Sequence, residues 1–247
     1  LGTDPHRSVL PMILHRVRMW NTWSNLTEIV RTGVNPAAGT LRSRPLEDLE
    51  AFIGAMQVIG RDVAVKIAGL IDLSPFRRLL DVGGGSGVYT AAFLGAAPHL
   101  TAAVFDLPEV VDITRKWLSA AGLLDRVEIV PGDFHVDDLP GGYDLVLLSA
   151  IIHSNSPEGN RDLYAKAFRS LNPGGTILIR DYVMDETRTI PPEGAVFAVN
   201  MLTATRGGNS YSFGEIRDDL EAAGFKNAFM AHDGPNMEQL VRAEKPA

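Results

Sequence analysis

Residues 79–87 read LLDVGGGSG, a short apolar run followed by a glycine loop, and this stretch decides the fold. Gly83, Gly85 and Gly87 stand at alternate positions directly before an amphipathic, helix-like segment. Glycine in such a loop lets the backbone turn sharply and approach a ligand closely, beside the N-terminus of a helix. The stretch therefore predicts a strand, a ligand-binding loop and a helix, and it favours a nucleotide-like cofactor.

The loop lacks the fingerprint of a dinucleotide site. That fingerprint is G-x-G-x-x-G. The register that starts at Gly83 meets Val88 at its last position, and the register that starts at Gly85 meets Thr90. An NAD-dependent oxidoreductase is therefore disfavoured, although it stays among the hypotheses.

From Arg78 onward, short apolar runs alternate with helix-like segments. The runs are RLLDV (78–82), TAAVFD (101–106), VEIV (127–130), YDLVLLSAII (143–152) and TILIRDYVM (176–184). Such alternation is typical of a parallel sheet covered by helices on both faces. The last runs, NAFMAH (227–232) and EQLVRAE (238–244), are separated by five residues, which predicts a hairpin and one antiparallel edge strand.

The first part of the chain has a different pattern. Apolar residues recur there at three-to-four spacing, with little alternation, which is typical of helices. We expect a helical extension over residues 1–75, which supplies substrate-pocket helices and dimer contacts, and a cofactor-binding domain over residues 76–247.

Composition limits the function classes. The chain has 247 residues and no cysteine, which rules out disulfides, thiolate metal sites and cysteine nucleophiles. A formal net charge of -7 disfavours a nucleic-acid partner. No apolar run approaches the roughly 20 residues that span a bilayer, and no leader pattern opens the chain. We therefore expect a cytoplasmic protein with a small-molecule substrate and no membrane partner.

Acidic residues end the second and third predicted strands. Asp106 follows the run TAAVF and is placed to accept hydrogen bonds from both hydroxyls of a ribose. Its alternative role is an N-cap, since Asp106 precedes a Pro-containing helix start. Asp133 stands beside Phe134 on the same rim of the sheet, an acid and an aromatic ring that suit an adenine. The alternative for Asp133 is a solvated loop acid.

Several motifs together resemble one family. DVGGGSG (81–87), FDLP (105–108), GDF (132–134), LNPGGTILI (171–179) and LEAAGF (220–225), in this order, resemble a class I S-adenosylmethionine-dependent methyltransferase. MWNTWSNLTEIVRTG (19–33), AFIGAM (51–56) and the triple-glycine loop are similar to small-molecule O-methyltransferases, typified by plant caffeic acid and isoflavone enzymes and by bacterial tailoring enzymes of polyketide and phenazine pathways.

The resemblance implies a fold and a cofactor. The fold is Rossmann-like and doubly wound, with a mostly parallel seven-stranded sheet, and the cofactor is S-adenosylmethionine, with S-adenosylhomocysteine as its product. It also implies a winged-helix dimerisation region upstream of Leu1 and a homodimer in the full-length form. The cofactor-binding residues that it implies are Gly83 and Gly85 for the methionine portion, Asp106 for the ribose, Leu107 and Phe134 for the adenine faces, Asp133 for the adenine amine, and Ser149, at a position where many relatives have a lysine.

His153 is the candidate general base. Methyl transfer from a sulfonium to oxygen is an in-line displacement, so the enzyme mainly has to align the reacting atoms. A phenol has a reference pKa of about 10, so a base hydrogen-bonded to it would speed the reaction by roughly 10²–10⁴. His153 follows the fourth apolar run, at the end of the sheet where α/β proteins bind ligands, and matches the family's base position. The alternative is a strand cap that bonds a carbonyl group.

The acids around this histidine depart from the family pattern. Relatives continue the histidine with Asp and Trp, whereas this chain continues with Ser154 and Asn155. Two further family acids flank the imidazole: the first matches Asp181, and the loop expected to hold the second offers Ser210 and no acid. One carboxylate is enough to fix the tautomer of an imidazole. We therefore expect Asp181 to orient His153, with a strand-end salt bridge to Arg180 as its alternative role.

The resemblance also implies an apolar acceptor pocket. Its predicted wall residues are Phe52 and Met56, with Trp20 and Trp23 on the segment before them, and Phe197, Asn200, Met201 and Leu202. Methionine and aromatic surfaces suit flat aromatic substrates. At helical spacing the same residues also fit a protein core. Asn200 replaces what is often an acid and is expected to bond a polar group of the substrate.

The leading hypothesis is O-methylation of an aromatic or polyketide-like small molecule, with His153 as base and Asp181 orienting it. A second hypothesis keeps the cofactor but replaces the reaction by N-methylation or a non-methylating tailoring step, because the acid set around His153 is reduced. A non-catalytic protein of the same fold is a third. No metal is expected, since no second ligand stands at metal-binding spacing around His153.

Overall fold

A computed structural model describes residues 8–33, 35 and 41–247, and the remaining residues of the predicted helical extension lie outside the described part. The strands are β1 (Arg78–Val82), β2 (Thr101–Asp106), β3 (Val127–Pro131), β4 (Tyr143–Ser149), β5 (Leu171–Asp181), β6 (Val183–Met184), β7 (Tyr211–Ser212), β8 (Lys226–His232) and β9 (Gln239–Glu244). The α-helices are α1 (Leu10–Trp23), α2 (Leu26–Thr32), α3 (Leu46–Gly69), α4 (Val88–Ala96), α5 (Val111–Ala120), α6 (Pro157–Ser170), α7 (Pro192–Ala204) and α8 (Phe213–Ala222).

Seven strands form one sheet in the order β3-β2-β1-β4-β5-β9-β8. The first five strands in this order are parallel. Helices α4, α5 and α6 form the crossovers that lead to β2, β3 and β5, whereas residues 132–142 connect β3 to β4 without an α-helix. The expected antiparallel edge is the C-terminal hairpin, in which β9 pairs antiparallel with both β5 and β8. The predicted fold class is therefore confirmed.

The parallel strands are apolar on both sides because both faces of the sheet are covered. One face carries Leu80, Val146 and Ile177 in one buried cluster, and the other carries Leu79, Leu145 and Leu178 in a second. These residues alternate along β1, β4 and β5, as side chains do on a strand. Continuous apolar runs are thus the expected sequence pattern for a two-sided sheet.

Side-chain caps fix the starts of two helices close to the carboxyl edge of the sheet. The Ser156 hydroxyl accepts a hydrogen bond from the amide of Gly159 and begins α6, with Pro157 at its first position. Ser212 and Glu215 form a reciprocal capping box at the start of α8. Such caps each stabilise a helix by about 1 kcal/mol.

The extension packs on the glycine loop through α3. The Ser86 hydroxyl donates to Oε1 of Gln57 at 2.5 Å, and Ile53 is buried next to Gly85. The extension therefore helps to hold the loop that follows β1. In the described ranges, no helix combines the length and the apolar character that crossing a bilayer requires.

The fourth apolar run does not stay extended over its whole length. β4 ends at Ser149, Ala150 takes a positive φ of 59°, and Ile152–Ser154 form a 3-10 turn. His153 therefore lies in this turn rather than at the end of the strand as predicted. The apolar residues after Ser149 suggest a longer strand, but the amide of Ala150 makes the last ladder hydrogen bond to β5, with the carbonyl of Arg180 at 2.7 Å, and the backbone leaves the strand there.

Candidate active site

His153 and Asp181 form a buried pair at the carboxyl edge of the sheet. Nδ1 of His153 lies 2.9 Å from each oxygen of the Asp181 carboxylate. The carboxylate also accepts a hydrogen bond from the amide of Tyr182 at 2.8 Å. Since Asp181 is an acceptor, Nδ1 of a neutral His153 carries the proton, and Nε2 is left as the acceptor.

Neither alternative for this pair fits the geometry. The His153 ring bonds a carboxylate and not a carbonyl group, so the strand-cap interpretation is wrong. Arg180 is adjacent to Asp181 on β5, but its guanidinium bonds Ser149 and Met237 instead. Consecutive residues of a strand face opposite sides of a sheet, which separates the two charges.

One aromatic ring packs on the imidazole, and a second ring packs on the first. The ring of Phe197 on α7 meets the His153 ring edge-on, with centroids 4.8 Å apart. The ring of Tyr182 in turn packs on the ring of Phe197 at a tilt of 46°, with centroids 5.1 Å apart. Phe197 is thus the predicted wall residue that the structure brings into direct contact with the candidate base.

The loop between α7 and β7 holds the backbone of His153. The amide of Asn209 donates to the carbonyl of His153 at 2.9 Å. A Cβ on Gly208 would overlap the same carbonyl oxygen and would lie 2.6 Å from Oγ1 of Thr205. Ser210, which stands in the loop expected to carry a second acid, donates to the carbonyl of Gly194 and does not contact the imidazole. The loop therefore supports the histidine through its backbone.

The glycine loop that follows β1 lies next to the residues that lead into the 3-10 turn of His153. Gly83 has a φ of 67°, and a Cβ there would overlap Cδ1 of Ile151 and lie 3.8 Å from the ring of Phe134. The positive φ therefore favours glycine at position 83, and a Cβ there would also require the end of the Ile151 side chain to move. The loop comes close to residues that follow β3 and β4, as a cofactor cradle requires.

Asp106 is bound to the glycine loop and does not cap a helix. Its carboxylate accepts hydrogen bonds from the amides of Gly85 and Leu107, both at 2.7 Å, whereas α5 begins later with Val110 at its N-cap. Burial raises the pKa of Asp106 to about 6, and the two amide hydrogen bonds oppose this shift. A carboxylate has about four acceptor positions, so two remain for the hydroxyls of a ribose.

A second buried carboxylate lies under the loop. Asp81 on β1 accepts a hydrogen bond from Oγ1 of Thr90 at 2.7 Å. Burial raises the pKa of Asp81 to about 6; the Thr90 hydrogen bond lowers it and the nearby charge of Asp106 raises it. Thr90 is the residue that interrupts the dinucleotide fingerprint, and its hydroxyl group binds the buried carboxylate of Asp81.

Asp133 is nine-tenths buried, so the solvated-loop interpretation is wrong. Its Oδ1 accepts a hydrogen bond from the amide of His135, and its Oδ2 lies 3.5 Å from Nη1 of Arg42 in the helical extension. Phe134 is partly buried beside it and stacks against the ring of His135, with centroids 4.5 Å apart. The structure thus brings Asp133 and Phe134 to the same edge as Asp106.

Ser149 ends β4 and accepts a hydrogen bond from Nε of Arg180 at 2.8 Å. The guanidinium of Arg180 also stacks over the ring of Tyr89, 4.8 Å from its centroid. The guanidinium of Arg180 therefore places a cation beside Ser149, the position at which many relatives have a lysine.

The remaining predicted wall residues lie in different surroundings. Phe52 packs with Leu107 against a small buried cluster and under the guanidinium of Arg44. Met201 is buried in α7, and Oδ1 of Asn200 accepts a hydrogen bond from Nε1 of Trp23 at 3.0 Å.

Met56 on α3 and Leu202 on α7 are half-buried. Trp20, on the segment before this wall, is 75% exposed.

Sequence reasoning missed several residues of this edge. Arg180 was considered only as a partner for Asp181, and Arg42, Thr90 and Gly208 were given no role. Arg180 carries a signal in hindsight, because a charged residue inside the apolar run TILIRDYVM needs a buried partner.

Within the part of the chain that the structure describes, no group of three or more His, Asp or Glu side chains is arranged to hold a metal ion. The residues at the carboxyl edge instead fit S-adenosylmethionine. Asp106 retains free acceptor positions for a ribose, and Asp133 and Phe134 suit an adenine. Nothing in this donor set conflicts with that cofactor.

A doubly wound sheet in this strand order, with a glycine loop after β1 and acids after β2 and β3, defines a class I S-adenosylmethionine-dependent methyltransferase fold. The chain belongs to the O-methyltransferase domain family, whose sequence profile matches residues 23–226. The resemblance drawn from the sequence motifs is thereby confirmed.

Individual relatives come from secondary metabolism and from animals. The chain is 35% identical over 210 residues to a 3-hydroxy-5-methyl-1-naphthoate 3-O-methyltransferase of Streptomyces sahachiroi, which covers 82% of this chain and 59% of that protein. It is 36% identical over 167 residues to the aclacinomycin 10-hydroxylase RdmB of Streptomyces purpurascens, covering 64% and 44% of the two chains.

Human N-acetylserotonin methyltransferase, solved in complex with S-adenosylmethionine, has a TM-score of 0.89 at 25% identity and covers 100% of this chain and 72% of that one.

Proposed function

We propose that the protein transfers a methyl group from S-adenosylmethionine to a hydroxyl of an aromatic or polyketide-like small molecule. The observation that carries this proposal is the buried pair of His153 and Asp181, with Nδ1 held at 2.9 Å from both carboxylate oxygens. Membership of the O-methyltransferase domain family supports the same reaction.

His153 is the proposed general base. S-adenosylmethionine, when bound, supplies an electrophilic methyl group on a sulfonium. Nε2 of His153 takes the proton of the acceptor hydroxyl, so that the oxygen electron pair becomes available for the new bond. Asp181 holds the ring through Nδ1 and stabilises the positive charge that the imidazole gains. Phe197 restricts the ring from its edge and excludes water from one side.

The cofactor-binding roles are also proposals. We assign Gly83 and Gly85 to the methionine portion, Asp106 to the ribose hydroxyls, Asp133 to the adenine amine, and Leu107 and Phe134 to the adenine faces, with Ser149 at the methionine end. The free acceptor positions of Asp106 support its role. Nη1 of Arg42 lies 3.5 Å from Oδ2 of Asp133. When an adenine amine binds Asp133, Arg42 therefore either moves away or shares the carboxylate with the amine.

The acceptor is proposed to lie between α7 and the extension. Phe197 forms the wall next to the base, and Asn200 keeps its amide nitrogen for a polar group while its oxygen binds Trp23. Phe52, Met56 and Met201 are proposed to contribute apolar surface. Phe52 packs with Leu107, so its apolar surface lies towards the cofactor side of the proposed pocket.

The test is methyl transfer to a panel of phenols that starts with 3-hydroxy-5-methyl-1-naphthoate and N-acetylserotonin, followed by mass spectrometry. We expect a mass gain of one methyl group on the acceptor, and His153→Ala should abolish it while calorimetry shows nearly unchanged affinity for S-adenosylmethionine. His232→Ala, on the edge strand β8, is the matched control. Full activity of His153→Ala would reject the base assignment.

A second candidate function is a cofactor-dependent step other than O-methylation, such as N-methylation or a non-methylating tailoring reaction. Two observations favour keeping it: the imidazole has one carboxylate partner within the described residues, and the chain is 36% identical to a hydroxylase. Binding of S-adenosylmethionine without methylated product from any phenol or amine would favour this function.

The chain spans 59% of the naphthoate enzyme, so the organisation of the whole protein is a proposal too. We propose a helical extension over residues 1–75 and a cofactor domain over residues 76–247, in a cytoplasmic homodimer. The exposed apolar face of α1 supports dimer contacts, since Ile13, Val17 and Trp20 are 44%, 63% and 75% exposed. Sedimentation of the full-length protein with Val17→Asp tests this; an unchanged dimer would remove α1 from the interface.

A further inference from the structure

The guanidinium of Arg180 is buried without a negative partner. Arg180 is 5% exposed, and it donates from Nε to the Ser149 hydroxyl at 2.8 Å and from Nη1 to the carbonyl of Met237 at 2.5 Å. Its third neighbour is the ring of Tyr89. All three partners are neutral, and no carboxylate of the described residues forms an ion pair with Arg180.

Nearby acids are engaged elsewhere. Asp181 faces the other side of the strand and binds His153, while Glu238 pairs with Lys66 at 2.5 Å. Burying a charge without a counter-charge is costly, so buried cations in proteins are paired or bind ligands. A buried guanidinium with neutral partners therefore points to an anionic ligand.

Arg180 lies beside the cofactor crevice. In doubly wound sheets the ligand binds outside the carboxyl ends of the strands, where the strand order reverses. Here that point lies between β1 and β4. Ser149 is the last residue of β4, and Tyr89 is the second residue of α4, directly after the glycine loop. The guanidinium bridges these two elements.

A second unused donor lies in the same cluster. The hydroxyl of Tyr89 is buried, and it has no hydrogen-bond partner among the described residues. Buried polar groups are normally satisfied, and an orphaned one calls for a partner. A guanidinium with unused N–H groups beside an unpaired hydroxyl is a donor set suited to a carboxylate.

We propose that Arg180 binds the methionine carboxylate of S-adenosylmethionine, with Ser149 fixing the orientation of its guanidinium and Tyr89 adding a hydroxyl donor. This inference rests on the proposed function, since it needs that cofactor. The proposal adds Arg180 on β5 to the cofactor site. It also means that the methionine carboxylate contributes to cofactor affinity, in addition to the adenosine.

Calorimetry with two ligands tests the assignment. S-adenosylmethionine carries the carboxylate, and decarboxylated S-adenosylmethionine keeps the adenosine, the sulfonium and the amine. We expect the wild type to prefer S-adenosylmethionine by about 10- to 100-fold, as hydrogen bonds to a charged group provide. Arg180→Gln should lose this preference through weaker binding of S-adenosylmethionine alone. Arg217→Gln, at an exposed ion pair on α8, is the matched control.

A rescue variant separates ligand binding from structural support. Ser149 and Arg180 are direct register partners on β4 and β5, so Arg180→Gln combined with Ser149→Lys returns a cation to the same place. We expect this double variant to regain the preference for the carboxylated ligand. If Arg180→Gln fails to fold, Arg180→Lys takes its place and should retain part of the preference.

Three results would overturn the assignment. Equal loss of affinity for both ligands in Arg180→Gln would make Arg180 structural, and unchanged affinity for both would remove it from the site. A wild type that binds both ligands equally would also reject it. A wild type that binds neither ligand would reject the proposed cofactor itself, which distinguishes that failure from the others.

Discussion

Nδ1 of His153 lies at the same distance, 2.9 Å, from both oxygens of Asp181. This symmetric contact needs the 3-10 turn after β4, because the turn carries the imidazole back over the end of β5. The carboxylate is itself held by the amide of Tyr182, so its position is fixed from the strand side. The pair is therefore organised before a substrate arrives.

Asp181→Asn is expected to lower kcat by about 10²–10⁴, in line with the loss seen when an orienting carboxylate becomes an amide. The amide presents N–H to a ring nitrogen that also carries a proton, so the ring turns or changes tautomer. The measurement is kcat with the best acceptor of the phenol panel, together with calorimetric affinity for S-adenosylmethionine, which should hardly change.

The control for Asp181→Asn is Asp218→Asn, which alters an exposed carboxylate on α8. It should leave kcat and cofactor affinity at wild-type values. If Asp181→Asn keeps more than half of the wild-type kcat, the carboxylate does not orient the base.

Phe197→Ala is expected to raise KM for the acceptor and to lower kcat by roughly tenfold, since the edge-on contact that restricts the imidazole is removed. Cofactor affinity should stay the same. Val196→Ala changes the adjacent, 62% exposed residue of the same helix and serves as the control. Equal kinetic effects of the two variants would indicate a general disturbance of α7 rather than a role at the base.

The two buried acids under the glycine loop predict opposite pH trends for stability and binding. Burial raises the pKa values of Asp81 and Asp106 to about 6, so between pH 3.8 and about 6 the folded state holds more protons than the unfolded state. The free energy of unfolding should therefore fall as pH rises through this window. Ribose binding favours the carboxylate form, so affinity for S-adenosylmethionine should fall as pH drops below about 6.

Denaturant unfolding and calorimetry from pH 4 to 8 measure both trends. Asp106→Asn removes one titrating group and should flatten both curves, while it also weakens cofactor binding at neutral pH. A wild-type affinity that is constant across pH 5 to 8 would exclude Asp106 as the ribose ligand.

The strands and the acids at their ends could be predicted because both depend on local pattern. β1 and β2 coincide with the runs RLLDV and TAAVFD, since a strand covered on two faces must be apolar throughout. Asp106 and Asp181 lie at the same edge of the sheet, because the last residues of parallel strands all lie at that edge. The position of His153 depends less on β4 itself than on the 3-10 turn after the strand.

Long-range contacts could not be predicted in the same way. The run YDLVLLSAII gives no sign that Ala150 adopts a positive φ, because alanine rarely takes this conformation and no turn residue marks the position. The hydrogen bond from Thr90 to Asp81, nine residues upstream, likewise could not be predicted from the sequence pattern. Such residues become interpretable only when the sheet order is known.

Gly208→Ala tests whether the α7–β7 loop supports the base. A Cβ at this position would overlap the carbonyl oxygen of His153, so the loop or the 3-10 turn has to move. Overpacking of this kind costs about 1–3 kcal/mol, and we expect the melting temperature and kcat to fall together. Gly95→Ala is the matched control, because it lies within α4 with open space around it and should stabilise the helix by up to about 1 kcal/mol. A Gly208→Ala variant with wild-type kcat and melting temperature would show that the loop accommodates a Cβ here without disturbing His153, and would reject close packing of this loop as a support for the imidazole.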